Sequence, residues 1–422
     1  MTTEHLELLK KEVESVFGRT ILSSSDCQFL SGDIYRRTGT KISFNTLRRL
    51  FNLMRCKYQP SAFTVDLLSR YCNFSSYSDF INCETRKTSV NKHLDKNLLN
   101  LLIFLFKNVD FNSVNDNGYV RLIQETINNL EQWPDVIDQF HREISRSANG
   151  QKFYFERLIN IDELNKSYGK GLLYYLNEKK TDEAQIFGHS LLCLNAWLTL
   201  DNENVKRHSA IVQDHYNNNS QLLDPYIHGK TFTSRLLAAS VDKADLAPIL
   251  NQARKYYDKN IQSIFNSQRF PSFEFALSET LILINEFDEA LFYIDEIIHK
   301  SQNDLGFATR DLALQDTVAL FKSIALTNIG ETTKGKGLLS TLDIGKFHFL
   351  SKKFYSILYL LLVQKFENSE TRQDKIRLLI SHTGFKKLII NQRKIKIDLN
   401  RLQFEENGNM GINGHGKLEN LL

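Results

Sequence analysis

Apolar residues along most of the chain recur at i, i+3, i+4 and i+7, as in Leu94, Leu98, Leu101, Leu102 and Leu105, and again in Leu277, Leu281 and Ile284, then Leu291, Ile294 and Ile298. That spacing puts them on one side of a 3.6-residue helix, so the chain reads as a series of amphipathic helices. Period-two alternation is sustained only around 394–399, a run too short to set the class. The five prolines (Pro60, Pro134, Pro225, Pro248 and Pro271) are few for 422 residues, and each can stand at a helix start or in a loop. The expected fold class is all-α.

Near the N-terminus the pattern resolves into three short helices. Residues 27–38 read as a helix with Phe29, Leu30 and Ile34 turned inward, followed by a turn at 38–41 in which Gly39 can take a positive φ. A second helix, capped by Ser43, carries Leu47, Leu50, Phe51 and Met54 as its apolar stripe and Asn45, Arg48, Arg49 and Asn52 on the opposite face. After Pro60, Ser61 caps a third helix with Phe63, Leu67, Leu68 and Tyr71 inward and Asn73 at its end. Ser75 and Ser76 then cap a short turn that ends at Phe80. Two helices joined by a tight glycine-containing turn, the second one short and polar outward, form the helix-turn-helix arrangement.

Charge sharpens that expectation. The chain carries a net charge of only +4, yet from Ile34 to Val65 there is no acidic residue, while Arg36, Arg37, Lys41, Arg48, Arg49, Arg55 and Lys57 fall in that window. Such concentration is the footprint of a phosphate-binding surface. Ser43 brings the second helix's N–H groups toward a phosphate, and Asn45 and Arg48, three residues apart, are placed to reach adenine and guanine edges. The remaining cations face the backbone of the nucleic acid.

The residues Leu30, Ile34, Thr38-Gly39, Ile42-Ser43, Thr46-Leu47 and Arg49-Leu50-Phe51, then Pro60-Ser61, Thr64, Asp66 and Leu68, then Tyr71, Phe74, Tyr77 and Asp79-Phe80, resemble an N-terminal module of many uncharacterised bacterial proteins. That module is similar to the Cro and phage-repressor type of helix-turn-helix. The resemblance spans residues 30–80 and implies DNA binding. It departs from the usual pattern after the third helix, where Cys72-Asn73 replaces Leu-Gly. A protein contact, or a cap on the helical array that follows, are the other uses of such a unit.

A change of texture at 82–92 places a domain boundary there, giving a unit at 1–85 and a Leu-, Phe- and Tyr-rich remainder at 86–402. In that remainder, residues 284–294 align with 329–339 at an offset of 45, each a helix end, a polar turn and a small residue (Ala290, Gly335). Residues 179–184 repeat the turn ahead of Ala184. Phe273 to Lys300, with Leu277, Ser278 and Leu281 before Glu-Phe-Asp-Glu-Ala-Leu, Ile294 and Ile297, resembles a tetratricopeptide repeat. The 45-residue offset and the missing Trp-Leu-Gly pattern point to a divergent α-solenoid of helical hairpins instead of a regular 34-residue array; an irregular bundle is the alternative. Its concave face is the expected groove for a protein or peptide, and it is also the expected source of dimerisation. The glycine- and asparagine-rich stretch 403–422 is expected to be disordered.

Motifs for chemistry are few. No His-x3-His, His-Glu-x2-His or Cys-x2-Cys spacing offers a metal site, and His208 and His215 read as surface residues without an acidic partner. Gly169-Lys-Gly171 and Gly335-Lys-Gly337 fall short of a phosphate-binding loop, and no Gly-x-Ser-x-Gly elbow or Cys–His pair suggests a nucleophile. Phe153-Tyr-Phe155 and Tyr174-Tyr175 read as hairpin core, and the basic run from Lys386 to Arg401 as the outer face of a terminal capping helix. Five cysteines without a pairing pattern suggest reduced core thiols, the longest apolar run (98–106) a buried helix, and the acidic N-terminus no signal peptide. The expectation is a cytoplasmic, non-enzymatic DNA-binding transcription regulator without cofactor, metal or membrane contact. A protein-interaction scaffold with no nucleic-acid role is the alternative.

Overall fold

The computed structural model describes residues 3–17, 20–54, 60–72, 74–108, 124–127, 130, 133–219, 223–266, 271–303 and 312–390, and every regular element among them is helical. The protein is all-α, and none of its described helices is long and apolar enough to cross a membrane. The chain divides into two compact units, Met1–Asn100 and Leu101–Leu422.

In the first unit, α1 (Thr3–Phe17), α2 (Ser24–Thr38), α3 (Phe44–Leu50), α4 (Ala62–Tyr71) and the start of α5 (Tyr77–Asn108) surround a core that includes Leu9, Val13, Leu30, Ile34, Leu47 and Leu68. α2 touches α3 and α4, and α1 lies on α4. α2 opens with a reciprocal cap, in which the Asp26 N–H donates to Ser23 Oγ and the Ser23 N–H donates to the Asp26 carboxylate, and it closes at Gly39 with φ 69°. Ser43 and Ser61 cap α3 and α4 by accepting from the N–H groups of Asn45 and Thr64.

Several details differ from expectation. Phe29 and Phe63 are 62% and 58% exposed. The buried stripe of α2 runs Cys27, Leu30, Ile34, and Phe29 stands about 100° around the helix from Leu30. In α4 the stripe is Val65, Leu67, Leu68 and Tyr71, with Phe63 in the first turn facing out. α3 stops at Leu50, because Asn52 enters the left-handed region at φ 61°, so Phe51 and Met54 lie beyond it. Ser75 and Ser76 lead not into a short turn but into the 32-residue α5. That helix contains the boundary expected at 82–92, whereas the units part at 100/101. Within the apolar run 98–106, Leu99, Leu102 and Phe106 are buried while Leu101 and Phe104 are exposed. Asn73, the alternating stretch 394–399 and the tail 403–422 lie outside the described residues.

The second unit continues through α6 (Pro134–Ile144), a π-helical turn (Gly150–Glu156), α7 (Ser167–Glu178), α8 (Asp182–Thr199), α9 (Asn202–Asn219), α10 (Pro225–Asp242), α11 (Ala247–Asn266), α12 (Phe273–Ile284), α13 (Phe287–Asn303), α14 (Leu312–Asn328), α15 (Thr332–Leu339), α16 (Lys352–Phe366), α17 (Glu370–Thr383) and α18 (Lys387–Ile390). α8, α10 and α12 each end on a left-handed residue (Leu200, Lys243 and Asn285), and Gly330 follows α14, so these turning points lie 43, 42 and 45 residues apart. An acidic residue follows within two positions in each turn (Asp201, Asp245, Glu286 and Glu331), at the positive end of the following helix. The Asp201 and Asp245 carboxylates accept from the N–H groups of Asn204 and Ala247. Small residues sit where the hairpin helices cross: Ala184 and Ala290 are buried, and a Cβ on Gly335 would stand 2.3 Å from Thr327 Oγ1. Gly169 and Gly171 are packing residues too, against the Leu164 carbonyl and the His141 ring.

α8, α10, α12, α14, α16 and α18 touch in succession, and α18 returns to α8, where Lys387 Nζ stands 5.3 Å from the Trp197 ring centroid. α12 is buried on all sides from Phe273 to Leu283. Tyr355 donates to Glu279 Oε1 at 2.8 Å, joining α16 to α12, and the Asp162 carboxylate accepts from the N–H groups of Lys353 and Phe354 at 2.8 Å.

Candidate nucleic-acid interface

The expected site residues of the first unit fall into two sets. Arg36 and Arg37 are exposed in the last turn of α2, where the helix dipole favours cations. Both reach Asp33 at 3.1 Å, and Asp33 accepts a 2.6 Å hydrogen bond from the Tyr71 hydroxyl. The Arg37 guanidinium also stands 5.2 Å from the Tyr71 ring centroid. One buried-edge carboxylate thus anchors two outward arginines to α4. Lys41 is exposed in the turn, 5.5 Å from the Tyr35 ring centroid. Ser43, Arg49 and Asn52 are exposed along α3 and just beyond it. Among the described residues Lys41 and Arg49 make no ion pair.

Asn45 and Arg48 are placed otherwise than expected. Both are half-buried, and Arg48 Nη1 donates to Asn45 Oδ1 at 3.2 Å, so the two side chains expected at base edges hold each other. Arg48 Nε is buried without a hydrogen-bond partner. The exposed polar side chains of this face are Ser43, Arg49 and Asn52. Arg55 and Lys57 lie outside the described residues.

In the second unit His208 is buried, not superficial, and its Nδ1 lies 2.9 Å from His189 Nδ1. His215 Nδ1 bonds Asp182 Oδ1 at 2.8 Å. The two pairs bridge α8 and α9 and join residues 19 and 33 positions apart, which local spacing does not reveal. Burial pushes His141, His189, His208 and His228 down to about 4, so all four are neutral near pH 7. Cys27, Cys72 and Cys193 are buried free thiols; burial pushes Cys72 and Cys193 up to about 12, the opposite of what a nucleophile needs. Among the described residues no three His, Cys, Asp or Glu side chains are grouped to hold a metal ion. Of the basic run at the C-terminal end, Lys386 and Lys387 are described, and Leu388 and Ile389 beside them are buried. The chain matches no protein family, no curated protein and no solved structure.

Proposed function

We propose that the protein is a DNA-binding transcription regulator. In this reading α2, the 39–43 turn and α3 form a helix-turn-helix that meets the duplex, and the second unit, an α-solenoid of hairpins, binds a protein or peptide or a second copy of the chain. The observation that carries the reading is the outward set Arg36, Arg37, Lys41, Ser43, Arg49 and Asn52 on one helix–turn–helix segment that contains no acid from 34 to 65. Arg36, Arg37 and Lys41 serve phosphates, Arg49 and Asn52 are the side chains with reach to base edges, and the Asn45–Arg48 bond stiffens α3 behind them. A single small module makes few phosphate contacts, so paired half-sites on a dimer are expected.

The test is a fluorescence-anisotropy titration of the full chain against random duplex DNA and against a site enriched from a random pool, beside an Arg36→Ala, Lys41→Ala, Arg49→Ala variant. Binding that the variant loses by at least about tenfold supports the reading. A folded wild-type protein that binds neither DNA at low salt overturns it. The second reading, a protein-interaction scaffold without a nucleic-acid role, is favoured by one observation: Phe29, Tyr35 and Phe63 are exposed on this same unit, and aromatic side chains in such positions suit protein contacts.

A further inference from the structure

Two arginines share one carboxylate near the C-terminal end of α2. Consecutive residues of a helix stand about 100° apart, so Arg36 and Arg37 leave α2 in different directions, and Asp33, three and four residues earlier, lies one turn back where both can reach it. It takes one nitrogen from each: Arg36 Nη2 donates to Oδ1 at 3.1 Å, and Arg37 Nε stands 3.1 Å from Oδ2. The remaining nitrogens of both guanidinium groups have no protein partner among the described residues, and the two side chains are 76% and 50% exposed. Each therefore keeps donors for an anion from outside.

The carboxylate is itself fixed from the other side. Asp33 is only 16% exposed, and its Oδ2 accepts a 2.6 Å hydrogen bond from the hydroxyl of Tyr71, a residue of the core on α4, 38 positions away in sequence. The Arg37 guanidinium also stands 5.2 Å from the centroid of the Tyr71 ring, so ring and carboxylate hold it together. Lys41 and Arg49, further along the same segment, have no such support among the described residues. The arrangement runs against the charge of the face. Exposed ion pairs three or four residues apart on a helix add little stability, and a carboxylate among cations that meet phosphates repels the ligand. What Asp33 supplies is direction: a free arginine side chain samples many rotamers and loses them on binding, whereas one already held by a fixed acceptor loses fewer.

We infer that Asp33 is a positioning residue of the interface: tied to the core through Tyr71, it sets the directions in which Arg36 and Arg37 meet the phosphates of the nucleic-acid backbone. The inference deepens the DNA-binding reading and rests on it. Charge and positioning then predict opposite signs. By charge alone, removing an acid from this face tightens DNA binding; by positioning, the same change weakens it although the face becomes more positive.

The test is a double-mutant cycle on the full chain, read by fluorescence anisotropy with random-sequence duplex DNA over a range of salt concentrations. Its members are wild type, Asp33→Asn, the Arg36→Ala, Arg37→Ala pair, and all three changes together. Asp33→Asn is expected to bind at least about fivefold more weakly than wild type, with a log Kd against log salt slope shallower by about 1–2. In the background that lacks both arginines the same change is expected to leave binding unchanged or slightly tighter, because only the repulsion of the carboxylate is then removed. A role in the fold alone would give the same loss in both backgrounds. Tyr71→Phe, which keeps the ring and the net charge but unties the carboxylate, is expected to weaken binding in the same direction, and it carries the comparison if hydrogen exchange shows that Asp33→Asn unfolds α2. Binding by the folded variant that equals or exceeds wild type, or an equal loss with and without the arginines, overturns the inference and leaves the DNA-binding reading standing. A wild-type protein that binds no DNA overturns both.

Discussion

Acid should loosen the second unit through His141, and the size of the effect follows from where that side chain sits. His141 on α6 is 1% exposed, its Nε2 lies 2.8 Å from the Tyr154 hydroxyl, and the ring fits against the bare backbone of Gly171, where a Cβ would come within 2.9 Å. Burial pushes its pKa down to about 4; the nearby Asp138 and a backbone hydrogen bond at Ser167 oppose the shift without cancelling it. The unfolded chain titrates near 6.5, so between pH 6.5 and 4 the unfolded state holds the extra proton. The stabilisation is therefore complete above pH 6.5 and is lost as pH falls through this window. At pH 5 the difference, RT ln[(1 + 10^(6.5−5))/(1 + 10^(4−5))], is about 2 kcal/mol. Both tryptophans, Trp133 and Trp197, belong to the second unit, so tryptophan fluorescence during urea unfolding follows this unit and not the first. His141→Gln keeps a partner for Tyr154 but does not titrate. It should be less stable than wild type at pH 7.5, yet lose about 2 kcal/mol less than wild type on going to pH 5. Equal losses in the two proteins would refute the assignment of the acid sensitivity to this histidine.

Asp162 works in the opposite sense. Burial raises its pKa to about 6 despite the two backbone N–H groups it accepts from, so its contribution grows as pH falls from 6 toward the unfolded value, and Asp162→Asn should show a steeper acid loss than wild type, by about 1 kcal/mol at pH 5. In the first unit Tyr71→Phe removes the 2.6 Å hydrogen bond to Asp33 that also steadies Arg36 and Arg37. A loss of about 1.5–3 kcal/mol is expected in hydrogen-exchange protection of α2 and α4. Gly39→Val forces a β-branched residue to φ 69° and should cost at least about 1–2 kcal/mol by the same measurement, with Gly39→Asn much milder.

The local grammar of the fold was readable where one residue type decides the matter. Ser43 and Ser61 as caps, Gly39 as the left-handed stop and the helical class follow from side-chain chemistry within four residues. The 42- to 45-residue period of the hairpins was visible only at 284 and 329, because two of its turning points are Leu200 and Lys243, residues that do not advertise a positive φ. The return of α18 to α8, and the Tyr355–Glu279 and His189–His208 bonds, join residues whose proximity depends on the whole arrangement of helices. At the candidate interface, charge and spacing located the basic segment, but only packing distinguishes Arg48, bonded to Asn45 and half-buried, from the adjacent exposed Arg49.

The central claim, that the α2–α3 segment meets nucleic-acid phosphates, is tested most directly by the salt dependence of binding. The measurement is log Kd against log salt concentration, from about 50 to 300 mM, for the full chain and for Lys41→Ala and Arg49→Ala on the same duplex. A steep slope is expected for wild type, shallower by about 1 in Lys41→Ala, with Arg49→Ala also narrowing the preference for the enriched site over random DNA. Slopes that superimpose for all three proteins, or a wild-type affinity that does not change with salt, would contradict it.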